Sequence, residues 1–350
     1  MTAGCTIAFN EERFMKAHKK TSFTSIGLAL LCLVTLTSAA RGAEVALKKI
    51  RVGYPSASAS FYPLFVTKEA GLFEKYGLSA EMIFVQGVAL IQVHVAGQLD
   101  FAVVSGLVTL QSAVGGSDLI LIASSIDNHL MKIMAHAGIS GPSDLKGKTL
   151  GISRFGSLTD LVARPVLAGW GIDPKKDITF IQIGGQGDIA RAVSLKKVDA
   201  GVLSFPTSLF AEKMGLKTLY DLADSGIEIA TTTVVVSREY AKANRETVLR
   251  FMKAYVEGTH RLLTDREMGI KALKRYGGIQ DPELLAKTYD LFTTKYVKKV
   301  PTITLKGVES ALSLVAENNP RARGRKPSEF IDTSFMEELE KSGFIKTVWR

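Results

Sequence analysis

The chain has 350 residues, of which 46% are hydrophobic and 22% charged, and its formal net charge is +10. Such a chain buries an ordinary core and has room for two domains of common size, which excludes disordered and collagen-like classes. Part of the positive excess lies in residues 1–43, where Arg13, Lys16, Lys19, Lys20 and Arg41 face only Glu11 and Glu12.

Those first residues read as an export leader. A basic stretch (Lys16, Lys19, Lys20) precedes the apolar run Ile26 to Leu36, and small residues follow at Ser38-Ala39-Ala40 and Ala40-Arg41-Gly42. The run is shorter than the roughly 20 residues of a bilayer span, so cleavage is expected near Ala40 to Ala43, with residues 1–43 removed. Both cysteines, Cys5 and Cys32, fall within it. The mature chain is therefore expected to lack disulfides, thiol catalysis and cysteine metal sites. No apolar segment of about 20 residues follows, so the exported product is expected to be soluble.

Next comes an alternation of strands and helices. "KKIRVGY" (48–54) is a strand, 61–76 a helix, "SAEMIFV" (79–85) a strand, 88–97 a helix, "LDFAVVS" (99–105) a strand, 106–114 a helix and "DLILIAS" (118–124) a strand. The pattern then restarts with strand "GKTLGIS" (147–153), helix 157–169, strand "DITFIQI" (177–183), helix 186–196 and strand "VDAGVLS" (198–204). Short apolar strands separated by helices predict βαβ units, hence an α/β fold with mostly parallel, open sheets flanked by helices. The segments Asp100–Ser105 and Asp199–Ser204 match in register, and "FVQG" (84–87) and "FIQIG" (180–184) end the preceding strands alike. Two matches in the same order predict paired lobes of like topology.

From about 237 the chain turns helical over 237–277, 281–297 and 306–318, with Gly277-Gly278 as a break. A helical tail without its own sheet must pack on a lobe already made. The expected division is lobe one over 44–136, lobe two over 137–232, and a return to lobe one over 233–350. The crossings are set near Ala135–Ile139 and Ala230–Val234. The run Arg321, Arg323, Arg325, Lys326 reads as a solvated loop.

In an open α/β sheet, ligands bind beyond the carboxyl ends of the strands, where helix N-termini point. The loops there are rich in small, hydroxyl and amide residues, which suit turns and caps but also let a guest approach backbone N–H groups. The candidate ligand contacts are Tyr54, Ser56 and Ser58 after the first strand, Gln86 and Gly87 after the second, and Ser105 after the third. In the second lobe they are Arg154, Gly156, Ser157, Gln186, Gly187, Ser204 and Phe205, and Thr232 at the second crossing completes the set. Ser60 is the expected N-cap of the first helix. Arg154 is the one cation among them, suited to a carboxylate, sulfonate or phosphate. Tyr54, Phe61, Phe155 and Phe205 are candidates to wall an apolar or aromatic portion, although aromatic residues also serve as core.

The succession "GYPSASASFYPLFVTKEAGLFEKYGLSAEMIFVQG", "AGQLDFAVVSG", "DLKGKTLGISRFGSLTDLVARPVLAGWGIDP" and "VDAGVLSFP" resembles the solute-binding proteins of ABC importers. The resemblance is strongest to the branch with receptors for nitrate, alkanesulfonates, taurine and the thiamine pyrimidine precursor, and it spans about 46 to 345. It implies a two-lobed periplasmic-binding-protein fold of type II with a two-segment hinge. It also implies a periplasmic monomer that closes over one small solute and delivers it to a permease and its ATPase, touching the membrane only through that permease. The binding loops of that branch vary, and its nitrate and sulfonate clusters find no match here beyond small-residue loops and Arg154. A small organic acid, with an aromatic portion as an option, is the first candidate solute, ahead of a sulfonate and then a heterocycle.

Other classes fit less well. One relative of this fold is an enzyme that makes the thiamine pyrimidine with a cysteine-rich segment and a histidine, and that segment has no counterpart here. His94, His129, His136 and His260 show no metal-binding spacing, and neither a Walker A sequence nor G-x-G-x-x-G occurs. No cofactor or metal is expected. Basic residues are dispersed among acids, so nucleic acid is not an expected partner. A ligand-sensing module reporting to a membrane sensor would share the same fold and pocket.

Overall fold

The computed structural model describes residues 46–225, 228–277 and 279–350. The expected leader, its cleavage site and both cysteines lie outside the described residues.

Strand β1 (Lys48–Tyr54) turns Ile50 and Val52 inward. A 3-10 turn then leads into α1 (Tyr62–Glu69), and α2 (Leu72–Lys75) follows. The expected helix over 61–76 is thus broken in two, because Gly71 adopts φ +65, which a helix cannot continue. Next come β2 (Leu78–Phe84), α3 (Ala89–Val95), β3 (Phe101–Val104), α4 (Gly106–Val114) and β4 (Leu119–Ile126). The second lobe holds β5 (Met131–Ala135), β6 (Thr149–Ile152), α5 (Leu158–Gly169), β7 (Thr179–Gln182), α6 (Gln186–Ser194), β8 (Ala200–Ser204), α7 (Thr207–Lys213) and β9 (Lys217–Asp221). The chain returns through β10 (Thr232–Ser237). The tail comprises α8 (Arg238–Ala243), α9 (Arg245–Thr264), α10 (Arg266–Gly277), α11 (Pro282–Lys295), α12 (Leu305–Asn318), α13 (Ser334–Lys341) and α14 (Phe344–Val348).

The strands form two sheets of five, ordered β2-β1-β3-β10-β4 and β7-β6-β8-β5-β9. In each, one strand runs antiparallel to both neighbours: β10 between β3 and β4, and β5 between β8 and β9. These are the strands that carry the chain from one lobe into the other. The expected first crossing therefore needs correction. Met131–Ala135 pairs with β8 and already belongs to the second sheet, so the chain crosses at 127–130 rather than at 135–139. The return is complete by Thr232, which pairs with Ile126 of the first sheet.

The repeat seen in the sequence has a physical basis. Asp100 Oδ2, just before β3, accepts the Arg51 N–H of β1 at 2.7 Å, and Asp199 Oδ2, just before β8, accepts the Thr149 N–H of β6 at 2.8 Å. In both lobes a carboxylate just ahead of one strand ties it to a parallel neighbour, β3 to β1 and β8 to β6.

The tail packs on the first lobe. Phe101 of β3 stacks on Phe251 of α9 at 4.0 Å, and Phe65 of α1 stacks on Tyr276 of α10 at 4.7 Å. Helix α9 meets α1 at Gly258, where an added Cβ would lie 2.9 Å from Thr67 Cα and overlap its hydroxyl. Arg321, Arg323, Arg325 and Lys326 are exposed.

His94 on α3 and His129 in the first crossing are both buried, and burial lowers each to about 4. Asp100 acts against this on His94 and Arg51 with it. Neither Nδ1 has a partner.

Two predictions follow from packing and burial. Gly258→Ala overpacks the α1–α9 contact and should destabilise the protein by about 1–3 kcal/mol, read as a lower denaturation midpoint; an unchanged midpoint would contradict the close approach. Both histidines stay neutral in the fold but charge in the unfolded chain below its ordinary value near 6.5, so the unfolded state binds more protons and stability falls as pH drops toward 4. His129→Gln should flatten that fall in a Tm-against-pH series, and parallel curves would count against it.

Candidate functional site

Because every parallel strand of both sheets ends toward the gap between them, the loops that follow those strands meet there. They enclose a cavity of about 370 Å³. From the first lobe it is lined by Ser56, Ser58 and Phe61 after β1, Phe84, Gln86 and Gly87 after β2, Ser105 and Val108 around the start of α4, and Thr231 and Thr232 at the start of β10. From the second lobe come Met131 of β5, then Ser153, Arg154, Ser157, Leu158 and Thr159 around the start of α5. Gly184–Gly187 at the start of α6, and Ser204 and Thr207 around the end of β8, complete the wall. The first turns of α4, α5 and α6 thus face the cavity, and their N-terminal dipole ends favour negative charge there.

Among the described residues Arg154 is the single charged side chain on the lining, with no carboxylate or histidine beside it. Its loop is braced from within. Ser157 Oγ donates to the Arg154 C=O at 2.7 Å, and the Gly156 N–H donates to Asp160 Oδ2 at 2.8 Å. Arg164 pairs with the same Asp160 carboxylate at 2.6 Å, which holds the anion in place under the turn. Ser153, Ser157 and Thr159 form a triangle of hydroxyls, each pair 2.9 Å apart. Gln186 Oε1 accepts the Ser204 N–H at 2.7 Å, so that side chain fixes the loop after β8.

The two lobes also touch. Ser58 Oγ donates to the Phe205 C=O at 3.1 Å. Gly87 has φ +66, and a Cβ there would sit 3.1 Å from Arg154 Cδ, so the arginine stem lies against the bare backbone of the opposite lobe.

Of the residues expected from the sequence, Ser56, Ser58, Gln86, Gly87, Ser105, Arg154, Ser157, Gln186, Gly187, Ser204 and Thr232 are brought together on this lining. Three are not. Tyr54 is turned into the first lobe, edge-on to Phe65 at 5.2 Å. Gly156 serves the turn, with φ +74 and its N–H committed to Asp160. Phe205 is buried beside Phe292 and Tyr296 and offers only its carbonyl, to Ser58. Phe155, a candidate wall, is instead 52% exposed, its N–H held by Gln182. Ser60 does not cap α1; Ser58 caps the preceding 3-10 turn, and Pro63 stands in the first turn of α1.

Sequence reasoning missed Phe84, Val108, Met131, Leu158 and Thr231. The apolar ones look like core positions, and only the strand-end rule applied to the residue before each loop would have found Phe84. Among the described residues, no helix is long and apolar enough to cross a membrane, and no group of three or more His, Cys, Asp or Glu side chains could hold a metal ion.

Comparison with known proteins gives the following. A family model described as NMT1/THI5 like matches residues 58–267. YtlA of Bacillus subtilis (strain 168), whose name describes a binding protein, is 26% identical over 217 residues, 60% of this chain and 65% of its own length. A Brachyspira hyodysenteriae protein, whose name describes an ABC transporter periplasmic binding protein, is 24% identical over 241 residues, 67% of this chain and 65% of its own. The chain thus spans just under two thirds of the length of these two relatives. The solved alkanesulfonate-binding protein SsuA from Xanthomonas axonopodis pv. citri, bound to MOPS, superposes with a TM-score of 0.66 at 20% identity, over 83% of this chain and 99% of that one. The two-lobed fold is shared.

Proposed function

The chain belongs to the NMT1/THI5-like family, and from that premise we propose that it is the extracytoplasmic solute-binding receptor of an ABC importer, which captures a small anionic solute by hinge closure. The observation that carries this reading is the cavity itself. It lies between two lobes and is walled by both, and its single charge among the described residues is the Arg154 cation. A carboxylate or sulfonate reaching Arg154 would be met by a guanidinium fork and by helix N-termini, all favouring negative charge.

The wall also supports binding rather than catalysis. No histidine, cysteine or carboxylate lines it among the described residues, so no side chain there is suited to act as a general base near neutral pH. With ligand held between the lobes and water excluded, the closed form is favoured by the contacts that only it can make. The periplasmic site of action and the permease partner are supported by the names of the relatives and by the expected leader.

A thermal-shift screen of the purified protein against carboxylates, sulfonates, nitrate and heterocycles should yield a ligand that raises Tm through its preference for the folded state. The same ligand should shrink the radius measured by small-angle scattering. A panel in which no class moves Tm would end the receptor reading. Arg154→Ala should weaken that ligand by about 1.5–3 kcal/mol, the loss expected for a charged hydrogen bond, as measured by calorimetric titration. Equal affinity in the variant would remove Arg154 from the site.

A further inference from the structure

Among the described residues, two buried hydroxyls on the cavity wall have no hydrogen-bond partner. Ser105 stands at the N-cap of α4, yet its Oγ neither caps the helix nor meets another polar atom. Thr232 opens β10, is fully buried, and has an equally unpartnered Oγ1. Val104 pairs with Thr233 in the antiparallel register, so one further step along both chains sets Ser105 opposite Thr232. Directly opposed residues of an antiparallel pair project to one face. Still, no bond joins these two.

Several other hydroxyls of the wall are already satisfied. Thr231 Oγ1 donates to the Ile229 C=O, Ser58 Oγ to the Phe205 C=O, and the Ser153, Ser157 and Thr159 hydroxyls satisfy one another. The backbone under Thr232 is also held, because its C=O accepts Ser125 Oγ, which in turn bonds Tyr255 OH at 2.9 Å. A rigid pair of buried hydroxyls left open is costly unless something fills it.

The rest of the wall narrows what that could be. Arg154 comes from the second lobe and the hydroxyl pair from the first, with Val108, Met131, Leu158 and Phe84 as apolar lining. No carboxylate among the described residues faces the cavity to balance an ammonium group. Building on the receptor reading above, we propose that the solute is a bifunctional organic monoanion. Its acid group pairs with Arg154, its apolar body lies on Val108, Met131 and Leu158, and a neutral oxygen at its other end, a hydroxyl or carbonyl, seats between Ser105 and Thr232. A zwitterion is disfavoured because its ammonium would lose water without gaining a counter-charge. An inorganic oxyanion would leave the hydroxyl pair open.

The test uses two matched series, 4-hydroxybenzoate, benzoate and tyrosine, and 6-hydroxyhexanoate, hexanoate and 6-aminohexanoate, with nitrate added, measured by thermal shift and calorimetric titration on the purified protein. In at least one series the hydroxy acid should bind about tenfold or more tighter than its partner without the hydroxyl, in the range of one buried hydrogen bond, and the amino member should not bind. Ser105→Ala and Thr232→Val should close that gap by lowering the affinity for the hydroxy acid to about that for the plain acid. Without ligand, isosteric Thr232→Val should melt no lower than wild type, since it removes an unpaired group. The proposal is overturned if the plain acid, the amino acid or nitrate binds as well as the hydroxy acid, if the gap persists in both variants, or if unliganded Thr232→Val is clearly destabilised. Each of these leaves the receptor reading standing. Silence from both series overturns the proposal too, and the broader screen then decides separately whether the receptor reading falls.

Discussion

Two backbone hydrogen bonds at the junction of the lobes govern the rest of the architecture. Ile229 donates its N–H to the Asp127 C=O at 2.8 Å, and Thr231 donates to the Ile126 C=O at 2.9 Å. They lay the returning chain antiparallel to the departing one, so β10 must enter the first sheet beside β4. The second sheet takes β5 in the same sense. With each crossing strand reversed, all the other strands of both sheets end toward one gap. Side chains secure the junction: Asp127 accepts Ser124 Oγ at 2.6 Å and pairs with Lys298. Ala230 is gripped on both sides, its C=O by the Gly106 N–H at 3.1 Å and its N–H by the Gly307 C=O at 3.2 Å. A Cβ on Gly106 would overlap the Ala230 oxygen, so only glycine lets α4 come this close to the crossing.

That grip ties the hinge to the cavity, since Ser105 precedes Gly106 and Thr231 and Thr232 follow Ala230. The same short segments form the junction and the wall of the cleft. A guest on Ser105 and Thr232, as proposed, would therefore act on residues adjoining the junction, with no intermediate relay. Polar links across the gap are weak by comparison. The Ser58–Phe205 bond is neutral, and the Lys213–Asp281 pair is exposed and screened by solvent. Apolar contact adds to them, since Phe205 and Leu209 of the second lobe sit in the first-lobe core, and in the proposed receptor a ligand's differential contacts would act against this background.

Much of this was legible in the sequence, for physical reasons that differ by element. Strand β1 was read to its exact bounds because its alternation of inward and outward residues is plain. The Asp100 and Asp199 repeat was visible because a carboxylate must be short and well placed to reach a backbone N–H of the neighbouring strand. Strands β5, β9 and β10 escaped notice. "MKIMA" and "KTLYD" are only five residues each, and they become strands only through partners 50 or more residues away in the chain, as with Met131 and Ser204. Helix α7 was missed beside them. The site was legible in its loops but not in its aromatics: Tyr54 and Phe205 flank cavity residues in sequence, yet each buries its ring in the first-lobe core, where aromatic area is worth more than at a wet rim. The orphan state of Ser105 and Thr232 was invisible, because an unmade hydrogen bond leaves no pattern in the residue order.

The two lobes, alike in winding, treat their polar loops differently. In the second lobe side chains are already spent on backbone: Gln182 on the Phe155 N–H, Gln186 on the Ser204 N–H, Asp160 on the Gly156 N–H, and the hydroxyl triangle on itself. That wall is stiff before any guest arrives, and it presents one charge. In the first lobe Ser105 and Thr232 remain open, on backbone that the sheet and the hinge hold still. On the proposed receptor reading, a solute meeting the first lobe alone would satisfy this neutral pair at once, whereas its Arg154 contact would reach full strength only when the second lobe closed and water left. That order, weak engagement first and a charge clamp on closure, would place most of the binding energy in the closed state, in which both lobes hold the guest.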